Sequence, residues 1–221
     1  MLSDPSQRVP LESIPVFPLP NAVLFPEQRM PLHIFEPRYR QMVRDALASQ
    51  PYLVLACIPA GDDGAVPALP PIATIGRIVA HQRLSDGRFN LVLEGLVRAA
   101  LDEVPSESLY RRVRCTPRLE PQGALADAPA AERMALISLV GRVMQRARER
   151  APDLEFVLPE GLSAARLAFL VADKLLVDGG ARQRVLDADT GEERVRRCTE
   201  GVAALLAELH PRSDADGRRL S

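Results

Sequence analysis

Lysine is almost absent from this chain: Lys174 stands alone, and arginine supplies the rest of the 28 basic residues. A P-loop needs a lysine behind a glycine-rich turn. Lys174 lies instead in an apolar helical pattern, expected to be buried, far from any such turn, so ATP hydrolysis of that kind is excluded. A serine-lysine dyad fares no better, because Ser163, the nearest serine in the same helical stretch, is about three turns or roughly 16 Å of rise away. Histidine is scarce as well. His33, His81 and His210 are scattered, with no His-x-x-x-His pair and no neighbouring cysteine to complete a tetrahedral metal site. Each is expected to be structural or merely exposed.

Cysteine is limited to Cys57, Cys115 and Cys198, none in a Cys-x-x-Cys pair and each inside an apolar or amphipathic segment. Such a set reads as small buried hydrophobes in a reducing compartment. There is no Gly-x-Ser-x-Gly elbow and no Gly-x-Gly-x-x-Gly after a strand, so the commonest hydrolase and dinucleotide fingerprints fail. The pair Asp62 and Asp63 sits in a Gly-, Pro- and Ala-rich loop from Pro59 to Pro71 and reads as a solvated turn. No catalytic, cofactor-binding or metal-binding residue is therefore expected, and no cofactor. The first eight residues lack a charged start followed by an apolar run, and no segment reaches membrane-spanning length. A cytoplasmic location without membrane association is the expectation. Asp and Glu number 29 against 28 Lys and Arg, so no global field draws the chain to nucleic acid or anionic lipid.

What the chain does have is 47% apolar residues over 221 positions, enough to fill a conventional core. Its character changes near residue 120, where Glu120-Pro121-Gln122-Gly123-Ala124 opens a stretch of small residues. The expected organisation is a β-rich part from 9 to 120, a junction from 121 to 130, a helical part from 131 to 210, and a disordered tail from 211 to 221. In the β-rich part Ile14 to Leu19 reads as an edge or bulged strand because of Pro15 and Pro18. Tyr52 to Ile58 reads as a buried strand. Ile75 to Leu84 and Phe89 to Val97 flank an Asp86-Gly87 hairpin turn, with Ile78, Ala80 and Leu84 aligned on one side of the first strand. Val113 to Leu119 alternates Val113, Cys115 and Leu119 with arginines and Thr116.

One helix from about Glu36 to Ala48 interrupts these strands, with Tyr39, Met42, Val43, Ala46 and Leu47 on its apolar stripe and Pro37 in its first turn. Beyond the junction a helix from near Ala130 is expected to turn Met134, Ile137, Val140, Met144 and Ala147 inward. A second helix is capped by Ser163, buries Leu167, Leu170, Val171 and Leu175, and stops near Asp178-Gly179-Gly180. A short segment covers Arg182 to Leu186. The last helix opens on the capping-box spacing Thr190-Gly191-Glu192-Glu193. Arg111, Arg112, Arg114 and Arg118 with Tyr110 form the one basic-aromatic cluster that could meet RNA, although an alternating arginine face more often marks the wet side of a strand.

Three blocks occur in order: Ile14-Pro15-Val16-Phe17-Pro18-Leu19, Val23-Leu24-Phe25-Pro26, and Met30-Pro31-Leu32-His33-Ile34-Phe35-Glu36-Pro37-Arg38-Tyr39-Arg40. Together they resemble the start of the substrate-recognition (LON) domain of ATP-dependent Lon proteases, also found in cereblon and in free-standing bacterial proteins. Thr74, the Asp86-Gly87-Arg88 turn, Gly95 with Arg98, and Tyr110 with Val113 continue the resemblance. Leu167, Ala172 and the stretch from Gln183 to Arg194 extend it more loosely, so that it covers roughly Val9 to Leu209. Departures stand at Ala73 and Gly76, where the family usually reads Gly-Thr-x-Ala, at Ala99 in place of phenylalanine, and at Ala181-Arg182-Gln183 in place of Glu-Lys-Gln.

The resemblance implies an α+β fold, a PUA-like pseudo-barrel followed by a helical bundle. It also implies a non-catalytic module that binds unfolded or exposed apolar protein segments, or a specific protein partner, without the ATPase and peptidase parts of a Lon protease. Its oligomeric state is left open. An RNA-binding or small-molecule-binding protein on the same scaffold is the alternative. The motif residues Phe17, Pro18, Phe25, Pro26, Leu32, His33, Phe35, Glu36, Arg38 and Tyr39 are candidate contact residues, but prolines that restrict the chain and aromatics that fill a core fit scaffold better. Phe17, Phe25, Phe35 and Tyr39 are expected to fill the barrel. Glu36, just before Pro37, is expected to be mostly buried, favouring the helix N-terminus and paired with an arginine or the backbone.

Overall fold

The computed structural model describes residues 12–58, 67–120 and 127–209. Six strands and one helix come first: β1 (Ile14–Pro20), β2 (Arg29–Ile34), α1 (Pro37–Ala48), β3 (Tyr52–Ile58), β4 (Ile72–Arg83), β5 (Phe89–Val104) and β6 (Arg112–Arg118). Four helices follow: α2 (Ala130–Arg148), α3 (Ala164–Leu175), α4 (Gly179–Asp187) and α5 (Gly191–Glu208). The mixed α+β class agrees with the sequence. The Asp62–Asp63 turn, junction residues 121–126, His210 and the tail from 211 lie outside the described residues.

The sheet runs β2-β5-β4-β3-β1-β6, and β5 pairs with β6 as well. The length of β5, 16 residues, permits both contacts. Opposite β4, its first part from Phe89 to Glu94 carries β2, and its last part from Arg98 to Val104 carries β6. The pairings therefore run from β1 through β3, β4, β5 and β6 back to β1. β3 alternates Leu53 and Leu55 into one core with Val54 and Ala56 into another. Burial on both faces is why it reads as an unbroken apolar run.

β1 is not an edge strand, contrary to the expectation from its prolines. It lies parallel to β3 from Val16 to Pro20 and antiparallel to β6 at Ile14 and Pro15. The prolines survive because each falls where a ladder is missing. Pro15 precedes the β3 pairing, and Pro18 lies beyond the β6 pairing. At the hairpin tip Gly87 alone takes positive φ, +82°, and Arg88 N–H donates to the Asp86 carboxylate at 3.0 Å. Register shifts at Ile75/Gly76 and Ile78/Ala80 break the alternation, so Ala80 is exposed instead of aligned with Ile78. Leu119 falls past the end of β6 and is exposed too.

Among the helices, α2 departs most from expectation. Leu136, Val140, Val143 and Met144 face inward, while Met134 and Ile137 face solvent. Apolar residues occupy two adjacent faces of this helix, so periodicity alone cannot choose between them, and packing on α5 decides. The caps are as expected at Ser163, which accepts from Arg166 N–H, and at Thr190, which accepts from Glu193 N–H at 3.1 Å. Asp178 accepts from Ala181 N–H at 2.6 Å and so starts α4 at Gly179, ahead of the expected Arg182. Lys174 is exposed and paired with Asp173 at 2.8 Å, not buried. Phe25 leaves the strand layer to pack on Phe169 of α3, ring centroids 5.2 Å apart.

Gly179 and Gly141 make opposite predictions. A Cβ on Gly179 would lie 2.5 Å from Asn21 Cα, where the end of β1 meets α4, so Gly179→Ala should destabilise by about 1–3 kcal/mol. Gly141 sits within α2 with no neighbour inside 4 Å, so Gly141→Ala should stabilise by about 0.5–1 kcal/mol. Urea unfolding midpoints of the two variants should move in opposite directions.

Candidate functional site

Where β6 parts from β1, a groove of about 920 Å³ opens. One wall is the end of β1, Pro18 to Pro20, and the other is the loop from Pro105 to Tyr110 that leads into β6. The first turn of α1 contributes Glu36, Arg38 and Tyr39, and the end of β5 contributes Glu103 and Val104. Leu109 stands on the rim, 72% exposed.

The polar side chains of the groove are held by one another. Glu36 is the N-cap residue of α1 without a side-chain cap bond. Its carboxylate meets Arg38 at 2.9 Å, and Arg38 lies over the Tyr39 ring at 4.5 Å. Burial pushes the Tyr39 hydroxyl up, opposed by the Arg38 charge. Across the groove Arg111 donates to both Glu103 oxygens, at 2.7 and 2.6 Å, and to the Pro67 carbonyl at 2.7 Å. This fork holds the Glu103 carboxyl below its ordinary range and raises Arg111. Tyr110 donates to Asp45 of α1 at 2.8 Å and accepts from Arg112 at 3.1 Å.

The ten motif residues do not converge on one place. Pro18, Glu36, Arg38 and Tyr39 line the groove. Phe17 is buried behind it, edge-on to Tyr39 with centroids 4.7 Å apart. Phe25 sits in the helical core, and Leu32 is half-buried against the α1 core. Pro26 lines a second cleft. His33 is exposed, its Nδ1 2.7 Å from Asn90 Oδ1. Phe35 is 60% exposed and fills no core, because β2 ends at Ile34 and the chain turns outward before α1. Glu36 has the expected arginine partner but is not mostly buried: its side chain is 39% exposed and makes no cap bond to α1, reaching Arg38 at the rim instead.

The second cleft, about 520 Å³, lies between strands and helices and is lined by Pro26, Glu120, Leu162 and Phe169. The Arg166–Glu27 ion pair joins its two sides. At its base is a cluster that sequence reasoning missed. Arg98 of β5 and Arg194 of α5 are 1% and 0% exposed. Arg98 donates to the carbonyls of Leu186 at 2.8 Å and Ala188 at 2.9 Å, and Arg194 donates to Ala188 at 3.1 Å. Glu120 accepts from both, one oxygen each. Arg194 Nη2 has no hydrogen bond, but its guanidinium lies over the Phe169 ring at 4.5 Å. Burial, then the Arg98 charge, pulls Arg194 down. No local signal marked it, since Arg98 has Glu94 and Asp102 four residues away in its own strand and Arg194 follows Glu192 and Glu193, and neither arginine pairs with these neighbours. Among the described residues no cluster of His, Cys, Asp and Glu could hold a metal ion.

Residues 13–203 match the family described as the ATP-dependent protease La (LON) substrate-binding domain. The chain is similar to Lon protease 2 of Sorangium cellulosum (strain So ce56), 30% identical over 226 residues, covering 96% of this chain and 27% of that protein. It thus spans about a quarter of the length of this curated relative. Its fold is similar to the crystal structure of a Lon N-terminal domain protein from Xanthomonas campestris, with TM-score 0.61, 22% identity, and coverage of 84% of this chain and 95% of that one. It is likewise similar to the N-terminal domain of Mycobacterium avium complex Lon protease, with TM-score 0.63, 19% identity, and coverage of 87% and 98%.

Replacing Glu120 by glutamine removes the shared anion between two buried guanidinium groups. The expected loss of stability is about 2–3 kcal/mol, read from denaturant unfolding. A second outcome concerns acid. Glu94, held by Arg29 and then Arg77, and Glu103, held by Arg111, both titrate below ordinary glutamate. Their contribution is complete above the unfolded value of about 4.3 and is lost as pH falls through the lowered folded values. Glu103→Gln should therefore flatten the acid limb of the stability profile.

Proposed function

The chain belongs to the LON substrate-binding domain family, and we propose that it is a non-catalytic module that holds exposed apolar segments of other proteins in the groove beside β1. The observation that carries this reading is the electrostatics of the groove. Its four charged residues form two internal pairs, Glu36 with Arg38 and Glu103 with Arg111. A charged ligand would surrender hydration there without gaining a free counter-charge. An uncharged apolar segment meets Pro18, Leu19, Ile58, Val104, Pro105 and Leu109 and loses little.

Binding without cleavage is supported by the state of the nucleophile candidates. Burial pushes the Cys115 and Cys198 thiols up to about 12 and raises Cys57, away from the thiolate that reacts. Lys174 lies at the surface, paired with Asp173 at 2.8 Å. The RNA reading is weakened by the same habit of pairing. Arg111 is held by Glu103, Arg112 by Ser13 and Tyr110, Arg114 by Glu12, and Arg118 by Asp189. The closed circuit of strand pairings and the four helices packed behind it favour a PUA-like pseudo-barrel followed by a helical bundle, with the change of character between 120 and 131.

The test is fluorescence anisotropy with ten-residue peptides tiled across a reduced, carboxymethylated polypeptide. Apolar peptides should bind the wild-type chain, and Leu109→Glu should weaken them about tenfold, the scale of one buried leucine contact. Val177→Glu, at an exposed position on the helical side, should leave binding unchanged. Equal losses in both variants, or no peptide binding at all, would remove the groove from consideration.

A further inference from the structure

The β1 wall of the groove has a hydrogen-bonding character that narrows what it can hold. Successive residues of an extended strand direct their backbone groups to opposite flanks. Val16 N–H donates toward β6, to the Arg111 carbonyl at 2.9 Å, and Asn21 N–H donates toward β3, to the Ile58 carbonyl at 3.4 Å. Ile14, Val16, Pro18 and Pro20 therefore share the β6-facing flank, and the odd-numbered residues face β3. The β6 pairing covers Ile14, Pro15 and Val16 and then stops, because residues 105–110 swing away. In the open stretch the backbone groups facing the groove belong to Pro18 and Pro20. Proline has a carbonyl and no N–H. The wall thus presents two acceptors, about 7 Å apart, and no donor.

We propose, on the premise that this groove is the binding site, that it recognises an extended apolar segment through two of the segment's backbone N–H groups. These are two residues apart and are donated to the carbonyls of Pro18 and Pro20, and no complete strand is added. In an antiparallel pairing each proline would face a residue whose N–H is satisfied and whose carbonyl receives nothing. In a parallel pairing the two accepted N–H groups are again two residues apart. The intervening residue is free to be anything, proline included, while proline at either donating position is excluded.

The ligand class is therefore apolar extended segments with non-proline residues at two alternating positions. The missing donors also have a physical consequence for release. A strand edge with both donors and acceptors propagates pairing and templates aggregation, whereas this one gives half a ladder and stops.

The experiment takes the tightest ten-residue peptide from the tiled set and replaces each backbone amide in turn by an ester, which deletes one N–H. Two esters, two residues apart, should each weaken binding about tenfold, and the others should have little effect. The double variant Pro18→Ala and Pro20→Ala supplies the absent donors and should bind the parent peptide more tightly. A flat ester scan with a parent peptide that still responds to Leu109→Glu would overturn this proposal and leave the groove in place. Three or more sensitive alternating positions would overturn it also, because they describe a full strand. A parent peptide indifferent to Leu109→Glu would overturn the groove and the proposal together.

Discussion

Two buried guanidinium groups and the one carboxylate they share hold the strand layer to the helices. A cation taken out of water is costly unless its donors are satisfied, and the satisfying groups here come from the end of the β-rich part and from the α4–α5 turn. Arg98 reaches from β5 to the carbonyls of Leu186 and Ala188, at the turn between α4 and α5. Arg194 comes back to Ala188 from α5, and Glu120, at the end of the β-rich part, gives one carboxylate oxygen to each. Of these bonds, only those of Arg98 to Leu186 and Ala188 and of Glu120 to Arg194 cross between strands and helices. They make the placement of β5, the α4–α5 turn and Glu120 a single condition, and Phe25 against Phe169 closes the apolar side of the same junction.

That junction leaves the far side of the strands free to form the groove. β5 must be long, because its first part carries β2 and its last part brings β6 round to β1. β6 meets β1 only at the beginning of β1. The remaining part of β1 faces the groove, and two prolines keep that exposed flank from acting as a sheet template. Charges at the groove are arranged in the same spirit of closure, each acid already matched to an arginine. The groove offers apolar area and the carbonyls of Pro18 and Pro20.

Much of this was legible in advance because it depends on local chemistry. Tyr52 to Ile58, the hairpin around Gly87, the stripe of α1 and the caps at Ser163 and Thr190 all follow from periodicity, positive φ or a short polar side chain next to free N–H groups. The errors have one cause. α2 has apolar residues on two faces, and only α5 decides which is buried. Phe35 belongs to an aromatic motif, yet the end of β2 turns it outward. Prolines in β1 suggested an edge, although the strand is interior and merely loses its neighbour partway along.

The sequence by itself determined the family, the strands and helices other than β2, and the scarcity of lysine, histidine and cysteine, since these reside in residue type and short spacing. Tertiary structure decided which of the motif residues share a surface and where the groove lies. It also decided that Arg98, Glu120 and Arg194 are one unit. The physical reason is distance along the chain: the groove joins residues of β1, α1, β5 and the β5–β6 loop, and the arginine cluster joins β5 to α5. No local periodicity carries such information, because the energies that select those pairings exist only after the strands and helices have packed.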